Sequence, residues 1–399
     1  QWSCHPEAAA FVREALAGFL AGCPGAAALA RRMRQETGTR FGDWVEALFL
    51  PRRTRTEEAL GRAGYRPWGD RAGVAAELFA HPGGLFPRIG LHDLPLTAVH
   101  LRVTSVADFA AVWQPAQAPQ GRPGSPYRRV LAWAGGGAEL WAAERWGWTR
   151  FDLPEDDPAR DLEAARTLDA FRTRRRLFPD PAEGFAHAVT LIEASRLEAD
   201  VTCALWFEAE REYWQRRNRA AQVQRARQDR LGLGWGNHDH HTYRSSRRQF
   251  ARLVGVWERL GFACRERFYA GREAGWGAQI LEQPRAGIVT FNDVDLSPDE
   301  LIGDFAHEGL PERPGRLGTV GLWCALHGEA FLEAGMHHLE CQFDFEALRA
   351  QLEQEGVRTM RPFTDFPHLR QAFTEGERWP VREERIRRLL QEGQITEGQ

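Results

Sequence analysis

The spacing of apolar and polar positions divides the chain into a helical start, a mixed middle and a repeating end. Positions 8–20 and 26–36 are rich in Ala and Leu at helical spacing, and Cys23-Pro24-Gly25 separates them. Thr54-Arg55-Thr56-Glu57-Glu58 has the polar start and early acids of another helix. Residues 1–93 are therefore expected to form a helical region that packs or caps. From Leu94 the period shortens to two. Positions 96–103, 129–133 and 138–145 read as strands, with Gly135-Gly136-Gly137 as a turn and a helix over 105–113. Positions 114–126, rich in Pro, Gly and Gln, form a loop. The segment 94–230 thus reads as α+β, a degenerate βαβββ unit followed by a long charged helix over 204–228.

Beyond Gly236 the pattern is clearer. A strand over 240–244 precedes a helix over 246–260, in which Phe250, Leu253, Val254 and Trp257 stand at i, i+3, i+4 and i+7 and Gly261 marks the end. Strands follow over 262–269, 276–282 and 288–294, which makes one βαβββ unit. After a linker and a strand over 319–325, the theme returns with a strand at 336–341, a helix at 345–355 and strands at 357–363 and 368–375. A helix closes the chain over 382–391. The domain 231–399 is read as two βαβββ-like modules, 237–296 and 334–382, each opening with a histidine-bearing strand.

Composition narrows the function. A chain of 399 residues with 43% hydrophobic and 27% charged residues is an ordinary globular protein. Its net charge of −3 makes no electrostatic case for nucleic acid or an anionic membrane surface. All 52 basic residues are arginine, so no lysine nucleophile or Schiff base is available. The six cysteines are scattered without a Cys-x-x-Cys pair, which argues against a disulfide framework or a Cys-type zinc site and for reduced thiols. No apolar run approaches a membrane span, and the N-terminus does not read as a secretory leader, so a cytoplasmic protein is expected.

Candidate chemistry concentrates in Gly236-Asn237-His238-Asp239-His240-His241-Thr242-Tyr243-Arg244. Imidazole is the commonest protein metal ligand, and alternate strand residues share a face. An extended stretch therefore offers His240 with the Arg244 guanidinium further along, suited to a carboxylate on a metal-bound substrate. The second histidine-bearing strand adds His338, and Glu375 or Glu377 supplies a late carboxylate. Two imidazoles and one carboxylate suit iron(II) or manganese(II), with positions left open for substrate and oxygen. His241 and His337 are the alternatives to His240 and His338, since neighbours on a strand face opposite ways. His100, His307, His327 and His368 lack that setting and read as structural.

Asp239-His240-His241-Thr242-Tyr243-Arg244 resembles the Asp-His-x-x-aromatic-Arg strand of the 2-oxoadipate dioxygenase/decarboxylase family, within the vicinal-oxygen-chelate superfamily. Met336-His337-His338-Leu339-Glu340, with Phe343-Asp344-Phe345, is similar to that family's Asn-His-Leu-Thr strand and the Asp and helix after it. Leu369-Arg370-Gln371 and Phe373-Thr374-Glu375-Gly376-Glu377-Arg378 look like its later segments. The resemblance covers residues 237–391; Glu340 stands where Thr is usual, and the first 230 residues have no counterpart.

The resemblance implies an α+β fold of vicinal-oxygen-chelate type, βαβββ modules forming a curved mixed sheet around a central metal. It implies iron(II) on His240, His338 and Glu375, with manganese(II), zinc(II) or nickel(II) as alternatives. Arg244 would bind a substrate carboxylate, and Gln279 is a polar contact on the concave face. The implied partners are a 2-oxo acid and O2, and the implied reaction is decarboxylation with hydroxylation to a 2-hydroxy acid. A metal-dependent isomerase, lyase or hydrolase on the same scaffold, or a ligand-binding protein without catalysis, are the competing expectations.

Overall fold

The structure, a computed structural model, describes residues 4–69, 76–148, 150–236, 239–334, 338–339, 343–362, 370 and 372–398, without the side chains of 239, 240, 338 and 339. Two helices open it, α1 (Pro6–Gly22) and α2 (Pro24–Arg32), each starting on a proline whose missing N–H costs nothing there. A π-helical turn, Met33–Thr37, continues α2 and stops at Gly38 with φ +66°.

The N-terminal region, read as largely helical, also carries strands. A short helix α3 (Phe41–Trp44) leads into strand β1 (Val45–Pro51), helix α4 (Thr54–Arg62) and strands β2 (Arg66–Pro67), β3 (Ala76–Ala80) and β4 (Arg88–His92). β1 lies between β4, to which it is parallel, and the antiparallel β5 (Thr97–Arg102). Its residues Val45 to Phe49 are buried on both faces, so no polar–apolar alternation betrays a strand. Helix α5 (Val106–Trp113), strand β6 (Tyr127–Gly135) and strand β7 (Ala138–Arg145) complete a sheet of order β2-β3-β4-β1-β5-β7-β6.

This sheet holds two copies of one winding. In β1-α4-β2-β3-β4 the first strand pairs in parallel with the last, and in β5-α5-β6-β7 it does so again. The bridge between Gln120 and Arg129 stands where the second copy lacks a strand. Leu16, Phe19 and Leu29 of the helices pack on Leu48, Val99, Val130 and Leu140 across one face. The other face is closed by Phe151, whose ring lies 5.2 Å from Phe49 and 5.3 Å from His100. A buried Arg145–Glu46 ion pair sits beside it. Burial pushes His100 well below the usual imidazole range, which keeps it neutral, and its Nδ1 lies 3.3 Å from the Tyr127 hydroxyl. His100 is buried in the packing of this face.

Helices α6 (Pro158–Thr173), α7 (Pro181–Ala194), α8 (Ala199–Gln215) and α9 (Arg219–Asp229) follow. The single helix expected over 204–228 is broken at Asn218, whose side chain accepts from the Ala221 N–H at 2.9 Å and caps α9. The third winding is complete: β8 (Asp239–Arg244), α10 (Phe250–Arg259), β9 (Ala263–Tyr269), β10 (Trp276–Gln283) and β11 (Ile288–Asp295). Its order is β8-β11-β10-β9, with β8 parallel to β11. Phe250, Leu253, Val254 and Trp257 of α10 are fully buried, as their spacing requires.

Residues Thr319–His327 form helix α11, where a strand was expected. Then come β12 (His338–Leu339), α12 (Phe345–Gln354), β13 (Ala372–Phe373) and α13 (Glu383–Gln391). The unit expected over 334–382 is, among the described residues, β12 and β13 paired antiparallel, with α12 between them and a bridge from Thr359 to Thr374. Asp344 caps α12, and its N–H donates to Gly38 O at 2.7 Å, which ties this end to the N-terminal π turn. With 43% helix, 20% strand and mixed sheets the protein is α+β. No described helix is long and apolar enough to cross a membrane.

Candidate functional site

The site is built outward from β8. Tyr243 is paired with Asn292 on β11, and both face α10. The Tyr243 ring lies 4.8 Å from that of Trp257, which donates to Asn292 Oδ1 at 2.7 Å. His241 is on the same side, buried with its ring 4.7 Å from Phe207. Alternation sends Thr242 and Arg244 to the opposite side, toward α11. Position 240 belongs to that second register set, opposite Val289 in the parallel pair. Its side chain lies outside the described residues.

Arg244 is half-buried, with its guanidinium carbon 4.9 Å from the ring centre of Trp323 on α11. Among the described residues no carboxylate forms an ion pair with it. Burial, with help from the charges of Arg385 and Arg244, pushes the His327 imidazole below its usual range. Glu329 is buried nearby, and its two oxygens accept from the Ser246 N–H at 3.2 and 3.1 Å. Burial raises its carboxyl above the usual range, offset in part by Ser246 and Ser245.

Asp295, at the end of β11, fixes α11 over Arg244. Its two oxygens accept from the Val320 and Gly321 N–H groups at 3.0 and 2.8 Å, a carboxylate on the free amides of a helix start. Two glycines permit this approach. A Cβ at Gly318 would stand 2.5 Å from Asp295 Cγ, and one at Gly321 would stand 2.6 Å from Oδ2. Gly321→Ala is expected to displace α11 and lower stability by about 1–3 kcal/mol, the usual range for overpacking. Urea melts of the two proteins measure it, and an unchanged midpoint would refute the packing argument.

The other expected residues lie on β10, β12 and the segment after β13. His338 is paired with Phe373, and Glu375 lies two positions beyond Phe373, a diagonal neighbour in register. The Glu375 carboxylate is half-exposed, 3.6 Å from Arg358 Nε, in a surface groove with Glu346 and Arg349 of α12. Glu377 accepts from the Arg219 N–H at 3.0 Å, at the start of α9. Neither carboxylate is joined to Arg244 by a described contact. Gln279 does not share the Arg244 face. It is opposite Asn292, on the α10 side, and its amide donates to Glu266 O at 3.0 Å and Ile280 O at 3.1 Å. Period-two counting along one strand could not reveal this, because the register between strands decides it. His337 and His368 lie outside the described residues.

Trp323, Glu329 and Asp295 were not legible in the sequence as site residues. Reading 319–325 as a strand hid Trp323, and nothing local marks Glu329 or Asp295. No family model and no curated protein matches the chain.

Proposed function

We propose that this chain is a non-haem iron(II) oxygenase of the vicinal-oxygen-chelate type, acting on a 2-oxo acid that carries a second carboxylate. The observation that carries the reading is Arg244. It is a cation without a described carboxylate partner, stacked on Trp323 and four residues beyond His240 in the same register set of β8. The βαβββ winding with parallel outer strands, found three times with one copy short of a strand, supports the fold.

The donor set of two imidazoles and a carboxylate suits iron(II), with manganese(II), zinc(II) and nickel(II) as competitors. His240, His338 and Glu375 would hold it. Among the described residues the ion pair of Glu375, to Arg358, is long and exposed, a contact worth about 0–1 kcal/mol. Iron, when bound, supplies oxygen activation and the redox chemistry. The chain's own residues bind and orient. Positions 240 and 244 are about 13 Å apart along an extended strand. That span favours a substrate with anionic groups at both ends, as in 2-oxoadipate. Arg244 holds the distal carboxylate through its planar fork, and Trp323 fixes the plane of that fork and excludes water. Atoms balance as 2-oxo acid plus O2 giving a 2-hydroxy acid one carbon shorter plus CO2.

The test is anaerobic iron(II) loading followed by an oxygen-electrode assay with 2-oxoadipate and a panel of shorter and monocarboxylic 2-oxo acids. Iron-dependent uptake with dicarboxylic members preferred is the expected result. Tight iron binding without uptake on any member would reject the oxygenase. Failure to bind any divalent metal would reject the metal site and leave a carboxylate-binding protein.

A further inference from the structure

A second cluster of metal-binding groups lies away from β8. Glu258 in the last turn of α10, Cys264 near the start of β9 and His307 in the turn after Asp304 place one ligand atom each within 4.8 Å of one another. We propose that these three residues form a second, surface metal site for a zinc-class divalent ion, independent of the iron reading above. Thiolate, imidazole and carboxylate together are a donor set that zinc takes.

The histidine is already oriented for the task. His307 Nδ1 lies 2.7 Å from Asp304 Oδ2, and Nε2 points to Glu258 Oε1 at 2.8 Å. A carboxylate on the far ring nitrogen of a metal-ligating histidine fixes its tautomer and raises its basicity. The turn that carries it is held in place. Arg267 donates to Gly303 O at 2.8 Å and stacks 5.0 Å over Phe305, whose ring packs 5.8 Å from Phe250 in the core. Tetrahedral zinc with bonds of about 2.0–2.3 Å needs ligand atoms about 3.3–3.8 Å apart, so the His307–Glu258 pair, now at 2.8 Å, widens and separations near the 4.8 Å limit shorten by about 1 Å. All three side chains are exposed.

Cys264 and His307 also line a cleft of about 830 Å3, with His5, Gly83, Arg265 and Arg267 along its walls. Three protein ligands leave a fourth position open toward that cleft, where water completes the shell. The ion joins α10, β9 and the 304–307 turn.

The experiment is a cobalt(II) titration of the full chain followed in the near ultraviolet, with zinc added back. The expected result is a thiolate-to-cobalt charge-transfer band that saturates at one equivalent and is erased by zinc. It is absent from Cys264→Ser and His307→Ala, and Asp304→Asn weakens cobalt binding about 10–100-fold. The iron site proposed above contains no thiol, so His240→Ala leaves the band unchanged. A titration without the band, or a band that survives Cys264→Ser, would overturn the site.

Discussion

His240→Ala is expected to abolish iron uptake and, with it, all iron-dependent oxygen consumption, whereas Arg244→Ala keeps the iron and loses the substrate. The two positions share one register set of β8, and the proposed function gives them different work. A ligand imidazole on a strand cannot be replaced by its neighbour, because His241 points into the core against Phe207. In the proposed reading Arg244 is not a metal ligand and would supply the fork for a distal carboxylate. Removing one partner of a hydrogen-bonded charge pair costs about 2–5 kcal/mol, or about 30- to 5,000-fold in kcat/KM. Arg244→Lys recovers part of this, since an ammonium keeps the charge but not the bidentate geometry. Metal stoichiometry and oxygen-electrode kinetics read the two effects separately. Full iron occupancy in His240→Ala would remove it from the ligand set, and wild-type kinetics in Arg244→Ala would remove the anchor.

Glu210→Ala is expected to cost about 3–5 kcal/mol of stability, the range for stripping one partner from a buried ion pair. Glu210 is 3% exposed and accepts from Arg174 at 2.9 Å and Arg176 at 2.5 Å. Arg174 also donates to Phe331 O at 2.7 Å and lies 4.6 Å from the centre of the Trp206 ring. The Tyr243 hydroxyl reaches the second Glu210 oxygen at 3.3 Å, so this network braces the back of β8. Without Glu210 two guanidinium groups lose their counter-ion, and Arg174 is fully buried.

The same network sets a pH dependence. Burial alone would raise the Glu210 carboxyl, but Arg176 and Arg174 outweigh it and hold it at about 2. In the unfolded chain it titrates near about 4.3. A depressed folded value means the contribution is fully present above about pH 4.3 and is lost as pH falls toward about 2. Thermal melts across that range should show a steeper acid loss for the natural chain than for Glu210→Ala. Parallel curves would contradict the assignment.

Local pattern carried some elements completely. Helix α10 follows from Phe250, Leu253, Val254 and Trp257, because each spacing step returns to the same buried face. Strand β7 and the Gly136-Gly137 turn before it follow from alternation and from two positive φ values. Elsewhere the pattern misled for physical reasons. β1 is central in its sheet and buried on both faces, so it has no solvent side to record. The 319–327 segment is apolar enough for a strand. It is a helix because Asp295, far away in the chain, satisfies the amides of its first turn.

The sequence by itself determined the third βαβββ winding, the placement of His240 and Arg244 on one alternating set, and the absence of lysine chemistry. These rest on residue identity and on periods of 2 and 3.6, which are local properties. Tertiary structure alone decided that a further copy of the winding, β1 to β4, precedes the degenerate unit read over 94–230, and that Phe151 closes the face there. It also decided that Gln279 turns away from Arg244, that Trp323 covers it, and that Cys264 meets Glu258 and His307. Each of these depends on inter-strand register or on contacts between residues distant in the chain. No local pattern encodes such contacts, because they form only when the whole core packs.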